Sequence, residues 1–189
     1  MITKEYEKLK ISCTMADCDN NQHCFRTTKT LQINGIEKGH CRYCNNDFID
    51  WGRLYKRDIN DIDYLVDSYK LEMVRNIFWS VKTPTIKMIS NVIDCNEDEL
   101  REKVIKTLKS SISKPKSQNV YDGRQTPLDT ENIIHWAQHA TGTCCRVCLD
   151  QWHGIGVDEI ITDQQYTYLA EVMMNYIKLK IKVKYIKED

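Results

Sequence analysis

The amino-acid sequence predicts a mainly α-helical protein of the α+β class, with a small zinc-ribbon-like module at its amino-terminal end. Most of the chain after residue 60 carries apolar residues at helical spacing. Residues 10–52 are instead polar and rich in turn-forming residues, and they contain five of the nine cysteines. A second group of cysteines and histidines lies within residues 137–155, and a helical pattern follows it.

We expect three regions along the chain. Residues 1–52 form a cysteine-rich, zinc-ribbon-like module, residues 53–118 a helical connecting region, and residues 119–189 an α-rich C-terminal domain. The module has short β-like pieces such as TLQI at residues 30–33, but too little apolar material for a core of its own. We therefore expect a metal to hold it together and the helical body to support it.

The helical elements follow from periodicity and from capping residues. Apolar residues at spacings of three and four predict a helix over about 60–80. Thr83 and Pro84 provide an N-cap and a first-turn proline for a short helix. Asn96 and Glu99 have the spacing of a capping box, which opens the next helix.

The carboxyl-terminal part begins with a polar stretch. Residues 110–127 are rich in turn-forming residues, which is typical of a long loop. Residues 163–180 predict an amphipathic helix. Lysine and apolar residues alternate over 177–186, so a closing strand is the alternative there.

Charge and hydropathy indicate the partners and the cellular compartment to expect for the protein. Twenty-seven basic residues balance twenty-seven acidic ones, so no overall field directs the chain to nucleic acid or a membrane. No apolar run approaches the ~20 residues that span a bilayer, and the amino terminus lacks the pattern of a signal peptide. We expect a soluble cytoplasmic protein with no membrane contact, whose reduced cysteines bind metal or do chemistry. The sequence specifies no oligomeric state.

Two cysteine pairs near the amino terminus have the spacing of metal-binding knuckles. They are Cys13-x4-Cys18 and Cys41-x2-Cys44. Four thiolates on two knuckles make a closed tetrahedral zinc site, which stabilises a fold and has no open position for catalysis. Cys24 and His23 are the alternative ligands, and a set of buried free thiols is the competing interpretation.

The second cluster is the segment AQHATGTCCRVCLDQWHGI at residues 137–155. One continuous helix would not gather its ligands, because five residues from Cys148 to His153 turn about 140° around the axis. A metal site therefore needs TGTCCRVC to be a turn and LDQWH to be a short helix that ends at Gly154. In that geometry the ligands of a second zinc site are His139, Cys145, Cys148 and His153.

Two other interpretations of this segment stay open. Thr143 as an N-cap would place Cys144 in a first helical turn, where the helix dipole lowers the pKa of a thiol. His139 or His135 would then act as the base and Arg146 as an anion clamp. The remaining interpretation is that the thiols only pack in the core.

The segments YDGRQTP (121–127) and AQHATGTCCRVCLDQWHGI together resemble an uncharacterised bacterial family, the domain of unknown function 4186. Its members carry D-G-[KR]-Q-T-P, then A-Q-H-A-T-x-T-C-C-R-x-C-L-x-x-W-H-G-I, then a long C-terminal helix. The resemblance covers about residues 119–180, and longer members are also similar to this chain in DCDNNQHCF, GHCRYC and DFIDWGRLYKRD. The resemblance thus indicates a family relationship, but it indicates no reaction.

The resemblance implies that the two segments belong to one unit. Their polar residues then form a candidate catalytic site that contains Asp122, Arg124, Gln125, His139, Arg146 and His153. The thiol interpretation adds Cys144 to this site. The competing interpretation of DGRQTP is structural, with Asp-Gly as a turn and Thr126-Pro127 as a helix start.

Cations and aromatic residues flank the first cluster: Arg42, Tyr43, Trp51, Arg53, Lys56 and Arg57. Cations contact phosphates, and aromatic rings stack on unpaired bases. By analogy with zinc ribbons that have such flanks, these residues predict contact with nucleic acid. A solvated charged face is the alternative.

The sequence thus favours a zinc-binding protein that binds or acts on DNA or RNA. One alternative is an enzyme with its site in the second cluster, which performs metal-assisted hydrolysis or thiol chemistry at Cys144 or Cys145. The other alternative is an adaptor that binds a protein partner without chemistry.

Overall fold

The structure is a computed structural model that describes residues 10–27, 29–118 and 126–186. These residues contain the helices α1 (Lys29–Ile33), α2 (Trp51–Leu54), α3 (Ile62–Lys70), α4 (Met73–Asn76), α5 (Ile86–Ile93), α6 (Glu97–Ile112), α7 (Ile133–Ala140), α8 (Arg146–His153) and α9 (Asp163–Ile186). A π-helix over Ile77–Val81 continues α4, and short 3₁₀ turns occur at Cys18–Asn20, Ile59–Asp61 and Lys116–Gln118. The mainly helical fold class is confirmed.

The amino-terminal region has the expected cysteines but a different backbone. In its described residues, β pairing is limited to isolated bridges from Asp17 to Gln22 and from His23 to Glu72. The prediction of β structure at TLQI was wrong, because these residues form α1. A short β-like piece needs a neighbouring strand to satisfy its backbone, and the segment closes its hydrogen bonds locally as a helix instead.

Two helix boundaries also differ from those predicted from the sequence. The helix predicted over 60–80 is interrupted before α4, where the backbone amides of His23 and Met73 donate to the carbonyls of Leu71 (2.7 Å) and His23 (2.9 Å). The short helix predicted from Thr83-Pro84 begins at Ile86, with Thr85 as its N-cap.

Two further expectations concern α6 and α9. The capping box is confirmed, since the Asn96 side chain accepts from the Glu99 amide (2.9 Å) and the Glu99 carboxylate accepts from the Asn96 amide (3.1 Å). The alternative of a closing strand was wrong, because α9 continues to Ile186. Lys180 on this helix donates to the carbonyls of Trp79 (2.7 Å) and Lys82 (2.8 Å), which holds the helical register there.

The larger core lies between α9 and the helices that pack against it. Helices α6 and α7 both lie along α9, and the π-helix packs on α7. Their buried side chains include Val104, Leu108, Ile134, Ala137, Leu169, Met173 and Ile177. This core positions α7 and α8, which carry the second cysteine cluster.

A second core joins the amino-terminal region to the helical body. It contains Phe25, Cys41, Ile49, Leu54, Leu65, Tyr69, Trp152 and Val172. The buried carboxylate of Glu72 accepts from the Phe25 amide (3.1 Å) and from Trp152 Nε1 (3.0 Å). Arg75 Nε pairs with the same carboxylate at 2.6 Å. The amino-terminal region is therefore anchored by apolar contacts and by a buried ion pair.

Within the described ranges, none of the helices combines the length and the apolar character that crossing a bilayer requires.

Candidate metal centres

The first cluster is a group of four side chains: Cys18, His23, Cys41 and Cys44. One ligand atom from each lies within 4.8 Å of all the others. Cys18 Sγ is 3.7 Å from Cys41 Sγ, and Cys44 Sγ is 3.6 Å from His23 Nδ1. A tetrahedral zinc ion with ~2.3 Å bonds to sulfur and ~2.0 Å bonds to nitrogen requires separations of about 3.5–3.8 Å. The spacing therefore fits one metal ion with four ligands.

Tight turns place the sulfur ligands of this first centre. Cys18 starts a 3₁₀ turn that ends at Asn20, and Asn21 caps it with a φ of 55°. Cys41 and Cys44 lie on a turn that Asn45 closes, with a φ of 59° and its amide 2.8 Å from the Cys41 carbonyl. Asparagine tolerates this left-handed backbone better than most residues, so the asparagines after each knuckle have a structural role.

His23 is held in the orientation that a ligand needs. Its Nε2 lies 3.0 Å from Asn21 Oδ1, which leaves Nδ1 directed at Cys44. A hydrogen bond on the second ring nitrogen is the usual companion of a histidine that ligates metal. The ring also stacks on Phe48 at 4.1 Å, and the side chain is buried.

The thiols of the first centre differ in acidity. Burial and contact with the sulfurs of Cys41 and Cys44 raise the pKa of Cys18 to about 12. Burial also acts to raise the pKa of Cys41, but backbone hydrogen bonds from Cys24, Cys44 and Tyr43 outweigh it and bring this pKa below its usual value. Backbone donors around a sulfur stabilise the thiolate, which is the form that binds metal.

The second cluster is a group of three buried thiols: Cys144, Cys145 and Cys148. Their sulfur atoms lie within 4.8 Å of one another, and no thiol is more than 5 % exposed. Cys145 is the N-cap of α8, and Cys148 lies in the first turn of this helix, which ends at Gly154 with a φ of 60°. The expected turn followed by a short helix is therefore present.

The turn before α8 is fixed by its neighbours. Gly142 has a φ of 73°, and a Cβ there would lie 2.8 Å from Trp152 Cβ, so a side chain at this position would collide with the tryptophan. The Thr126 hydroxyl donates to the Cys144 carbonyl at 3.1 Å. Gln138 Nε2 donates to the Thr143 carbonyl at 3.3 Å. These contacts hold the three sulfurs together.

Two arginines lie beside the three thiols. Arg26 Nη1 is 3.7 Å from Cys145 Sγ and 3.8 Å from Cys148 Sγ. Arg75 is buried behind the cluster, where it pairs with Glu72 and donates to the His139 carbonyl at 2.6 Å. Burial acts to lower the pKa of Arg26, but nearby thiols, with Cys148 first, raise it above its usual value. The cluster is thus arranged for negative charge on sulfur.

The three thiols are neutral unless a cation joins them. Hydrogen bonds among the three sulfurs shift their pKa values in both directions, and together with burial they leave all three raised, that of Cys144 well above its usual value, that of Cys145 to about 11 and that of Cys148 to about 12. Buried neutral thiols are poor nucleophiles. A coordinating metal ion removes the protons outright. The environment therefore favours metal binding over thiol catalysis.

A cavity of about 620 Å³ opens beside the second cluster. Its described lining includes the stretch 10–14, Arg26, Thr126, His139 and Cys144. Burial lowers the pKa of His139 to about 4, so this imidazole is neutral at physiological pH. The second cluster therefore borders a cavity that is large enough for a small molecule.

Residues 86–178 match the family model described as Domain of unknown function (DUF4186). This part of the chain belongs to that family. The resemblance expected from the sequence is therefore confirmed, and the matched residues include the whole of α5 to α8. No solved structure gives a significant match to the chain. The second cluster lies inside the DUF4186 domain, and the first cluster lies outside it.

The structure redistributes the predicted ligands of the first centre. The sequence favoured Cys13 as the fourth ligand and gave His23 as an alternative. In the structure, His23 belongs to the group and Cys13 does not. Cys13 instead lines the cavity next to the DUF4186 cysteines. Cys24 is buried outside the group, and its thiol donates to the Cys13 carbonyl at 3.6 Å.

The two histidines predicted for the second centre lie outside the group of thiols. His139 stacks on Phe78 at 5.2 Å, and its Nε2 is 3.0 Å from the Pro127 carbonyl. His153 Nε2 is 2.8 Å from the Thr141 carbonyl. Five residues of helix separate His153 from Cys148, an axial distance of about 7.5 Å, so His153 faces another neighbour. Cys144 completes the group of three instead.

The remaining candidates of the DUF4186 domain divide into two groups. Asp122, Arg124 and Gln125 lie outside the described residues. Arg146 is buried, and its guanidinium donates to the carbonyls of Val157, Gly156, Glu159 and Ile112. Arg146 thus ties α8 to the loop after it. The Thr126-Pro127 pair does not start a helix, because α7 begins at Ile133 with Asn132 as its N-cap.

The cations and rings predicted for nucleic acid are partly engaged within the protein. Arg53 forms a bidentate pair with Asp61, and Arg57 donates to the His153 carbonyl at 3.2 Å. Trp51 packs between Phe25 and Trp152. Tyr43 is 60 % exposed, with the Arg42 guanidinium 5.5 Å from its ring centre. Lys56 is exposed.

Proposed function

We propose that the protein is a zinc metalloprotein with one structural centre and one functional centre, and that the functional centre supports metal-assisted hydrolysis. The supporting observation is the group of three buried thiols with Cys144 on the wall of a cavity. A zinc ion with three protein ligands keeps one position for water or substrate and acts there as a Lewis acid. The four-ligand first centre has no such position, so its role is structural.

Charge supports an open fourth position at the second centre. Three thiolates and a divalent cation carry one net negative charge, and Arg26 supplies one positive charge at 3.7–3.8 Å from two of the sulfurs. Arg75 is already balanced by Glu72. A neutral water as the fourth ligand leaves the buried site uncharged, whereas a fourth thiolate leaves an uncompensated charge, which is costly in a protein interior.

Metal content tests the two-centre proposal. We expect two zinc ions per chain in freshly prepared protein, one in Cys148→Ser and one in Cys44→Ser. Cys95→Ser is the matched control, because Cys95 belongs to neither cluster, and it should retain two. A wild-type protein with one ion, kept in Cys148→Ser, would remove the functional centre from the proposal.

The open position is tested with cobalt(II) in place of zinc and imidazole as a neutral probe. We expect imidazole to change the visible spectrum of the wild type and of Cys13→Ser, but not of Cys148→Ser. Cys13 is the decisive variant, because it is the cysteine that faces the same cavity as Cys144. If imidazole has no effect on the wild type and Cys13→Ser alters the spectrum, Cys13 is the fourth ligand and the centre is closed.

Nucleic-acid binding is a second candidate, which the exposed Tyr43 ring and the adjacent Arg42 favour. An exposed ring with a neighbouring cation can stack on an unpaired base and contact its phosphate. A gel shift with single-stranded DNA and RNA at increasing salt tests it. We expect Tyr43→Ala to weaken a shift that wild type gives at low salt, and the absence of any shift removes this candidate.

A further inference from the structure

The cavity at the second centre has a one-sided charge. Its described lining residues include the cations Lys10 and Arg26 but no aspartate or glutamate. The whole chain has equal numbers of acidic and basic residues, so this imbalance is local. His139 adds no charge, since burial lowers its pKa to about 4. Ser12, Thr14 and Thr126 contribute hydroxyl groups to the walls.

Arg26 is held at the boundary between the thiols and the cavity. The residue before it, Phe25, is fully buried against Trp51 and Trp152, and its amide donates to Glu72. The contacts of Arg26 with Cys145 and Cys148 come from one nitrogen, Nη1. A guanidinium has five N–H donors in a rigid fork, which suits the oxygens of a phosphate or a carboxylate.

We propose that the cavity binds an oxyanion, a phosphate or carboxylate group of the substrate, through the charge of Lys10 and through the N–H donors of Arg26 other than those of Nη1, which contacts the thiols. The charge of Arg26 itself balances the metal and its three thiolates. This inference rests on the proposed function, since it names the substrate class of the same centre. The anion places the substrate on the cationic wall, and the scissile bond then lies toward Cys144 and the metal position. Neutral substrates lack a partner for these cations and bind less tightly.

Binding of inorganic phosphate to cobalt-loaded protein tests the proposal. Phosphorus-31 relaxation reports both the affinity and the closeness of phosphate to cobalt, and acetate competition distinguishes a preference for phosphate from one for carboxylate. We expect Arg26→Gln to weaken phosphate binding about tenfold or more, and Lys10→Gln to weaken it severalfold. Arg26→Lys keeps the charge and should lie between wild type and Arg26→Gln.

The controls separate a local effect from a general one. Lys56→Gln removes one exposed positive charge away from the cavity, and it should bind phosphate as wild type does. Lys10 is exposed, so its variant should fold even if an Arg26 variant does not. Equal losses in Lys56→Gln and Lys10→Gln, or wild-type affinity in both Arg26→Gln and Lys10→Gln, would overturn the proposal.

Failure of this inference differs from failure of the proposed function. If two cobalt ions bind, imidazole reaches the second one and phosphate does not bind, the anion proposal alone is wrong. If Cys148→Ser has the metal content of wild type and phosphate still binds through Arg26, the anion site stands and the functional metal centre is wrong. In Cys148→Ser we expect phosphate to lose its relaxation by cobalt.

Discussion

The two cysteine clusters place the same side chain in different surroundings. The first has four ligands on tight turns, with Cys18 and Cys44 partly exposed. The second has three thiols, all buried, at the start of one helix beside a cavity. The first lies in a region with little apolar material, and the second lies in a domain with a large core. Ligand number and the adjoining cavity, more than cysteine content, are the basis on which we propose a structural role for the first cluster and a functional role for the second.

The largest expected effect tests whether the first centre is structural. We expect Cys44→Ser to lose one metal ion and to destabilise the amino-terminal region by about 4 kcal/mol or more, because metal binding there is folding energy. Hydrogen exchange should show faster exchange over residues 10–27 and 41–50, with α6 and α9 unchanged. Uniform protection in the variant would mean that the apolar contacts alone hold the region.

The next effect concerns the buried Glu72–Arg75 ion pair, whose carboxylate also accepts from the Phe25 amide of the amino-terminal region. We expect Glu72→Gln to cost about 3–5 kcal/mol, because it leaves Arg75 buried without its counterion. Chemical denaturation with and without a chelator measures this cost. A matched comparison is Glu97→Gln, because its partner Lys178 is solvent-exposed. We expect this variant to be as stable as wild type. If Glu72→Gln is equally stable, the buried ion pair is dispensable and the prediction is wrong.

The pH dependence of stability tests whether burial keeps His153 of the DUF4186 domain neutral. Burial lowers the pKa of His153 to about 3, so the unfolded chain binds a proton below pH 6.5 that the folded chain does not. Stability therefore falls with falling pH, by about 1.4 kcal/mol per pH unit from this histidine. We expect His153→Gln to reduce the slope of unfolding free energy between pH 6 and 4.5 by about one proton.

Wild type is the control for that slope, because both proteins carry the same cysteines and protonation of metal ligands affects them equally. An identical slope in His153→Gln would show that His153 is not kept neutral by burial.

The smallest effect tests whether helix α6 is independent of the metals. Asn96→Ala removes the reciprocal cap of α6, which should cost about 1 kcal/mol. We expect the same loss with and without chelator, because α6 contributes no ligand to either cluster. Thermal unfolding of metal-loaded and stripped protein compares the two, and a chelator-dependent loss would contradict the separation of the clusters from this helix.

Local patterns in the sequence predicted much of the helical fold. The capping box at Asn96 and the turn and short helix of residues 141–153 depend on residues a few positions apart, so spacing was sufficient. Cys18, Cys41 and Cys44 of the first cluster and Cys145 and Cys148 of the second were also identifiable, whereas Cys144 was assigned to thiol chemistry. For the first centre, spacing did not show that His23 rather than Cys13 belongs to the group, because both positions fit a tight turn.

Long-range contacts could not be predicted in the same way. Arg26 meets Cys145 across 119 positions, and no spacing rule connects them. The same is true of Glu72 with Trp152, 80 positions apart. The histidines of the second cluster were displaced from the thiols by their places on α7 and α8, which only the packed helices reveal. Tertiary packing decides which polar residues near a cysteine face it.

The short distance from His23 to Arg26 has a consequence for how one cluster can influence the other. Three residues span at most about 11 Å of extended chain, so seating His23 in the first centre also delivers Arg26 to the sulfurs of the second. Loss of metal from the first centre would therefore loosen the contact of Arg26 with the DUF4186 thiols, although it would remove no ligand of the second centre.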